Sequence, residues 1–112
     1  MDTRVRVLVV DDSAFFRKRI REQLERHVEI DIVGEACNGR EAVELNTRLK
    51  PDLITMDVAM PEMDGISAMR EIMASRPTRV LMVSALTRDG AHATLEALDA
   101  GAVDFVPKQN GM

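Results

Sequence analysis

The chain of 112 residues has no tryptophan, no tyrosine and only three phenylalanines, so it offers poor rings for stacking a flavin. A single cysteine, Cys37, rules out an internal disulfide and reads as a small buried residue in preference to a regulatory thiol. The two histidines, His27 and His92, lie far apart and share no metal-ligand spacing with Cys37, which leaves no basis for a zinc site. No apolar run approaches the length of a membrane span, and Met1-Asp2-Thr3-Arg4 lacks the apolar stretch of a signal peptide. A soluble cytoplasmic protein without a membrane partner is the simplest reading. Charge of neither sign dominates: 15 basic against 19 acidic residues leave −4, which argues against a general nucleic-acid binder. No repeat, linker or low-complexity tract divides the chain. Its 46% of hydrophobic residues serve one core, hence one domain over residues 1–112.

The organising stretch is residues 53–57, Leu-Ile-Thr-Met-Asp, an apolar run that ends in a carboxylate and is followed by a loop containing Pro61. It reads as a buried strand with Asp57 at its C-terminal end. Residues 5–10 form a β-branched strand that stops at Asp11-Asp12-Ser13. Ser13 caps a helix whose Phe16, Ile20 and Leu24 make a sheet-facing stripe. Residues 30–33 read as a short strand, and Asp31 within it suggests an edge position. A second helix opens at Asn38-Gly39 and runs through Leu49. After the Asp57 strand, Ile66, Met69, Ile72 and Met73 mark a third helix ending before Pro77. Residues 79–84 are a fourth strand, 90–100 a fourth helix with Leu95 and Leu98 inward and Gly101 past its end, and 103–106 a fifth strand. The methionines Met56, Met60, Met63, Met69, Met73 and Met82 read as core filling. Arg17, Lys18, Arg19, Arg21 and Arg26 read as a solvated face, with docking to an acidic partner as the lesser reading.

Strands alternating with amphipathic helices predict βαβ units with right-handed crossovers. The expected fold is α/β, a flavodoxin-like doubly wound five-stranded parallel sheet of order 2-1-3-4-5. That order brings Asp11, Asp12 and Asp57 to one sheet edge, with Ser84 and Lys108 beside them. Each residue is commonplace alone; their convergence on one edge is not. Three close carboxylates raise one another's pKa, a conflict that a divalent cation resolves, and an all-oxygen site with few protein ligands suits Mg²⁺ better than Zn²⁺. Lys108 and the Ser84 hydroxyl stand where a phosphoryl oxygen would develop charge. The constellation points to phosphoryl transfer onto Asp57 as nucleophile. A haloacid-dehalogenase-type phosphatase would need a second carboxylate two residues after Asp57, where this chain has Ala59. A dehydrogenase would need a glycine-rich turn after the first strand, where it has Asp11-Asp12-Ser13. A flavin-binding electron carrier on the same fold is the alternative of another class.

The runs VLVVDDSAFFR and PDLITMDVAMPEMDG, with Ser84 and Lys108 after strands four and five, resemble the receiver domain of two-component response regulators over nearly the whole chain. The resemblance implies that Asp57 accepts a phosphoryl group from the phosphohistidine of a histidine kinase. It implies Mg²⁺ on Asp12, Asp57 and the backbone carbonyl of Ala59, with Asp11 assisting through a water. Ser84 and Lys108 would hold phosphoryl oxygens. Phe105, three residues before the lysine, takes the position of an aromatic switch, or is simply core. In the switch reading, movement of the Ser84 hydroxyl pulls residues 85–89 and frees Phe105 to turn.

SALTRDGAHATLEALDAGAVDFVPK is similar to the receiver segment of chemotaxis protein-glutamate methylesterases, which implies a regulatory partner in a C-terminal methylesterase domain; a stand-alone receiver docking on a target is the other reading. Three departures accompany the likeness. Ala59 offers a carbonyl but no functional side chain at a position that in receivers often influences how long the phosphoryl group survives. Gln109 stands where a proline usually follows the lysine and supplies a cis bond that aims it. The fifth helix is missing, so the receiver reads as C-terminally truncated. An apolar face bared over strands three to five is then expected to destabilise the chain or drive a non-native dimer.

Overall fold

Val7, Leu8, Val9 and Val10 are at most 1% exposed, and a strand buried on both faces requires helices on either side. The structure, a computed structural model, describes residues 3–85 and 90–108, with side chains described for 3–83 and 95–108. In chain order it has β1 (Val5–Val10), α1 (Ala14–Leu24), β2 (Ile30–Ala36), α2 (Gly39–Leu49), β3 (Leu53–Met56), α3 (Gly65–Ser75), β4 (Arg79–Ala85), α4 (Gly90–Asp99) and β5 (Asp104–Lys108). The strands form one parallel sheet of order β2-β1-β3-β4-β5, as the sequence pattern predicts.

Alternate strand residues enter two separate cores, because successive side chains point to opposite faces. Leu8, Val10, Ile54, Met56, Val80 and Met82 meet Ala42 of α2, Ala68, Met69 and Ile72 of α3, and Ala97 of α4. Met60, Met63 and Met73 pack around that cluster, so these methionines do fill the core. On the other face Val7, Val9 and Val83 meet Ile20 of α1, with Leu24, Leu53 and Leu81 beside them. Leu53, Leu81 and Val106 remain partly exposed on that side, whereas Thr55 and Val83 are buried.

The helix boundaries follow from their caps. Ser13 Oγ accepts from the Phe16 N–H at 3.3 Å, and Asn38 Oδ1 from the Glu41 N–H at 2.9 Å. After α4, Gly101 has φ of 117°. Its N–H donates to Leu98 O and that of Ala102 to Ala97 O, a Schellman closure that glycine alone adopts without strain.

Two strands, one helix face and one side chain depart from the sequence reading. β2 runs to Ala36, three residues further than expected, because Gly34, Glu35 and Ala36 pair with Leu8, Val9 and Val10 across a register slip. The pairing comes from β1, and nothing in the composition of those three residues announces it. β5 is shifted to Asp104–Lys108, so Lys108 ends the strand instead of following it. Leu95 and Leu98 do not face inward: they are 66% and 43% exposed, and Ala97 is the residue buried against the sheet. A small side chain lets α4 approach closely, which turns residues 95 and 98 outward at 100° per residue. Cys37 is only half-buried, its Sγ 3.3 Å from Glu41 Oε2.

At the sheet's N-terminal edge, fully buried Asn46 accepts from the Thr78 hydroxyl at 2.8 Å and from Arg76 Nη1 at 3.2 Å, and donates to Arg76 O at 2.9 Å. This satisfied network anchors the edge opposite the carboxylates.

Candidate functional site

Strand register decides which carboxylates meet. Val10 pairs with Met56, and the next residues continue the alignment: the Asp57 N–H donates to Val10 O and the Asp11 N–H to Ala36 O, each at 3.0 Å. Asp11 and Asp57 therefore arrive at the C-terminal edge of the sheet, 0% and 5% exposed, while Asp12 is exposed beside them. One carboxylate oxygen from each of the three lies within 4.8 Å of the other two. The juxtaposition expected from the topology is present.

Backbone donors orient the two buried carboxylates. Asp11 Oδ1 accepts from the Ser13 N–H at 2.9 Å, and Asp57 Oδ1 from the Val58 N–H at 2.9 Å. The second oxygens face Lys108, whose Nζ is 2.7 Å from Asp11 Oδ2 and 3.3 Å from Asp57 Oδ2. The lysine side chain is only 9% exposed, and its Nζ also lies 4.2 Å from the centroid of the Phe16 ring. Burial first, then the charge of Asp11, pushes the Asp57 carboxyl up from 3.8 to about 6, against the pull of Lys108 and of the Val58 N–H. A group tuned in this way at a sheet edge is a candidate reactive residue.

The donor set fits a hard divalent cation. All three groups offer carboxylate oxygens, and among the described residues buried Asp11 Oδ2 has the Lys108 ammonium 2.7 Å away but no aligned hydrogen-bond donor. Three carboxylates against one ammonium leave two negative charges, which suits Mg²⁺ with water completing its shell.

The other expected residues are placed less completely. Ser84 pairs with Pro107 and Ala85 with Lys108, so Ser84 reaches the same edge; its hydroxyl lies outside the described residues, as do residues 86–89 and the bond from Lys108 to Gln109. Ala59 is exposed two residues after Asp57. Phe105 pairs with Met82 and packs half-buried against the α2–α4 core.

Five contributors, Arg17, Arg21, Glu35, Phe16 and Gly65, escape sequence reasoning. Arg17 Nη1 donates to Asp11 O at 2.6 Å, and its Nε to Glu35 Oε1 at 3.1 Å. Arg21 meets Glu35 Oε2 at 2.6 Å, so two basic residues read as solvated brace the site from α1 instead. Glu35 belongs to the unforeseen extension of β2, which is why no spacing pointed to it. Phe16 was legible as a stripe residue but not as a partner of Lys108. Gly65 is the last: a Cβ there would stand 2.0 Å from Asp57 O, and its N–H donates to Val58 O at 2.7 Å. Gly65→Ala is expected to push the β3–α3 loop away from Asp57 and to cost about 2–3 kcal/mol, read as a lower urea midpoint; an unchanged midpoint would show that the loop gives way freely.

Among the described residues no helix is long and apolar enough to cross a membrane.

Comparison with known proteins agrees with this geometry. The family described as the response regulator receiver domain matches residues 7–112. A protein-glutamate methylesterase/protein-glutamine glutaminase of Alkalilimnicola ehrlichii is 65% identical over 106 residues, covering 95% of this chain and 27% of that protein. Its counterpart in Pseudoalteromonas translucida is 65% identical over 94% of this chain and 27% of its own length. The chain thus spans about a quarter of these relatives. Among solved structures, the response regulator domain of Thermotoga maritima CheB superposes with a TM-score of 0.90 at 51% identity, over 96% of this chain and 80% of that one. A chain of the CheX–CheY–BeF3–Mg²⁺ complex from Borrelia burgdorferi gives 0.84 at 34% identity, over 94% and 78%.

Proposed function

The chain belongs to the response regulator receiver domain family, and from that premise we propose that it is a phosphoacceptor switch in which Asp57 takes a phosphoryl group from the phosphohistidine of a kinase. The observation that carries the proposal is the buried pair Asp11–Asp57 bridged by Lys108 at 2.7 and 3.3 Å. An Asp57 oxygen attacks phosphorus in line with the leaving imidazole. The O–P bond forms as the P–N bond breaks, and the electron pair leaves on the histidine nitrogen, which takes a proton from water. Lys108 keeps its protons and donates hydrogen bonds to the phosphoryl oxygens, with the Ser84 hydroxyl assigned to another. Asp12, Asp57 and the Ala59 carbonyl, with Asp11 through a water, would hold Mg²⁺. When bound, the ion supplies positive charge that offsets repulsion between the carboxylates and the incoming phosphoryl group.

The output follows from the relatives. They are methylesterases that continue well beyond the matched region, so the proposed role of the domain is phosphorylation-dependent control of such an attached domain. Phe105, between the core and the strand that ends in Lys108, is the proposed element that changes state; its effect comes through differential affinity of the partner for the two conformations.

Incubation with acetyl phosphate and Mg²⁺, followed by intact-mass analysis and peptide mapping, is expected to find one added phosphoryl group on Asp57. Chelation of the metal should reduce uptake at least about 100-fold. Uptake on another residue, or none with Mg²⁺ present, would overturn the assignment.

A further inference from the structure

We propose that Phe16 is a positioning residue for Lys108, acting through the face of its ring and not through apolar volume; the inference rests on the phosphoacceptor reading above. Lys108 ends β5, and the ends of β4 and β3 lie between it and Asp11, the residue after β1. To stand 2.7 Å from Asp11 the side chain must reach along the sheet edge, and four rotatable bonds oppose any single such conformation. Two carboxylates pull at its tip from one side, and the Phe16 ring meets that tip as a third contact: Nζ stands 4.2 Å from its centroid, inside the range of a cation–π contact and in a setting where the lysine is 9% exposed.

The ring is itself well held. Phe16 lies in the first turn of α1, and the Phe15 ring meets it edge-on at 5.5 Å and 81°. Arg19 in turn covers Phe15 at 5.7 Å. The Phe16 N–H donates to the Ser13 hydroxyl, while the Ser13 N–H donates to Asp11 Oδ1. One capping turn thus orients both the carboxylate and the aromatic wall that face Lys108. Nothing in the spacing of Phe16, Ile20 and Leu24 as a stripe requires an aromatic at the first position. An aliphatic side chain would cover the same sheet face but would offer the ammonium no negative ring face.

The test compares wild type with Phe16→Leu and Phe16→Tyr. In the wild-type protein the Lys108 Hε protons are expected to be shifted upfield by the ring current. Phe16→Leu should lose that shift and slow phosphoryl uptake from acetyl phosphate about tenfold, with Mg²⁺ affinity within twofold of wild type. Phe16→Tyr, which keeps the ring, should retain both the shift and the rate. Should Phe16→Leu fail to fold, Phe16→Met takes its place. The proposal is overturned if the wild-type Hε protons are unshifted, if the aliphatic variant keeps the wild-type rate, or if the Tyr and aliphatic variants slow alike, as a pure packing role would have it. If the wild type takes up no phosphoryl group, the phosphoacceptor reading falls by itself, and the Hε shift still decides the contact.

Discussion

Replacing Asp57 by Asn is expected to make the metal-free protein more stable at pH 7 while abolishing phosphoryl uptake. The carboxyl is raised from 3.8 to about 6 in the fold, chiefly by burial and next by Asp11. For a raised group the stabilising contribution is fully present below the unfolded value of 3.8 and is lost as pH rises through about 6. The folded state binds the proton more tightly, so ionisation penalises it relative to the unfolded chain. Each pH unit between the two values is worth about 1.36 kcal/mol, which sets the penalty at about 3 kcal/mol by pH 7. Urea denaturation in chelator across pH 4 to 8 should show wild-type stability falling between about 4 and 6, and Asp57→Asn lacking that fall. Added Mg²⁺ should raise the wild type and leave the variant much less affected. Equal pH slopes in the two proteins would remove Asp57 as the strained group.

Lys108→Met should produce the opposite imbalance. It retains most of the side chain's length but leaves Asp11 and Asp57, both at least 95% buried, without their shared counter-charge. Removing one partner of a buried ionic cluster typically costs 3–5 kcal/mol. Protonation of Asp57 relieves part of that, so a loss of about 3 kcal/mol is expected in chelator at pH 7. Saturating Mg²⁺ should restore most of the stability, since the ion brings its own positive charge to the same oxygens. It should not restore chemistry: without the charged donor that Lys108 places beside the phosphoryl oxygens, uptake should stay about 100-fold down. A stability loss indifferent to Mg²⁺ would mean that the lysine acts through packing and not through charge. Combined with Asp57→Asn, Lys108→Met should cost clearly less than it does alone, because one of the two buried charges is gone.

These expectations also separate what was legible in the chain from what was not. The apolar run before Asp57, the β-branched run before Asp11 and the stripe on α1 announced their elements through local periodicity, and the order 2-1-3-4-5 followed from short strands joined by helices. The carboxylate cluster was readable for the same reason: parallel strands put their C-terminal ends on one edge, so residues just past those ends converge. Leu95 and Leu98 misled because helical spacing states which residues share a face, not whether that face or the one bearing Ala97 meets the sheet. Gly34, Glu35 and Ala36 misled because their strand conformation is imposed by β1 and not by their own propensity.

By itself, the sequence determined the elements, the sheet edge and the identity of Asp11, Asp12, Asp57 and Lys108 as its polar residues, since hydrophobic period and chain direction are properties of neighbours along the chain. Only the tertiary structure decided that Lys108 lies between two particular oxygens with Phe16 at its side, that Arg17 braces Asp11, and that Gly65 must be bare beneath Asp57. Those facts depend on strand register and side-chain rotamers, which are selected by packing between residues distant in sequence.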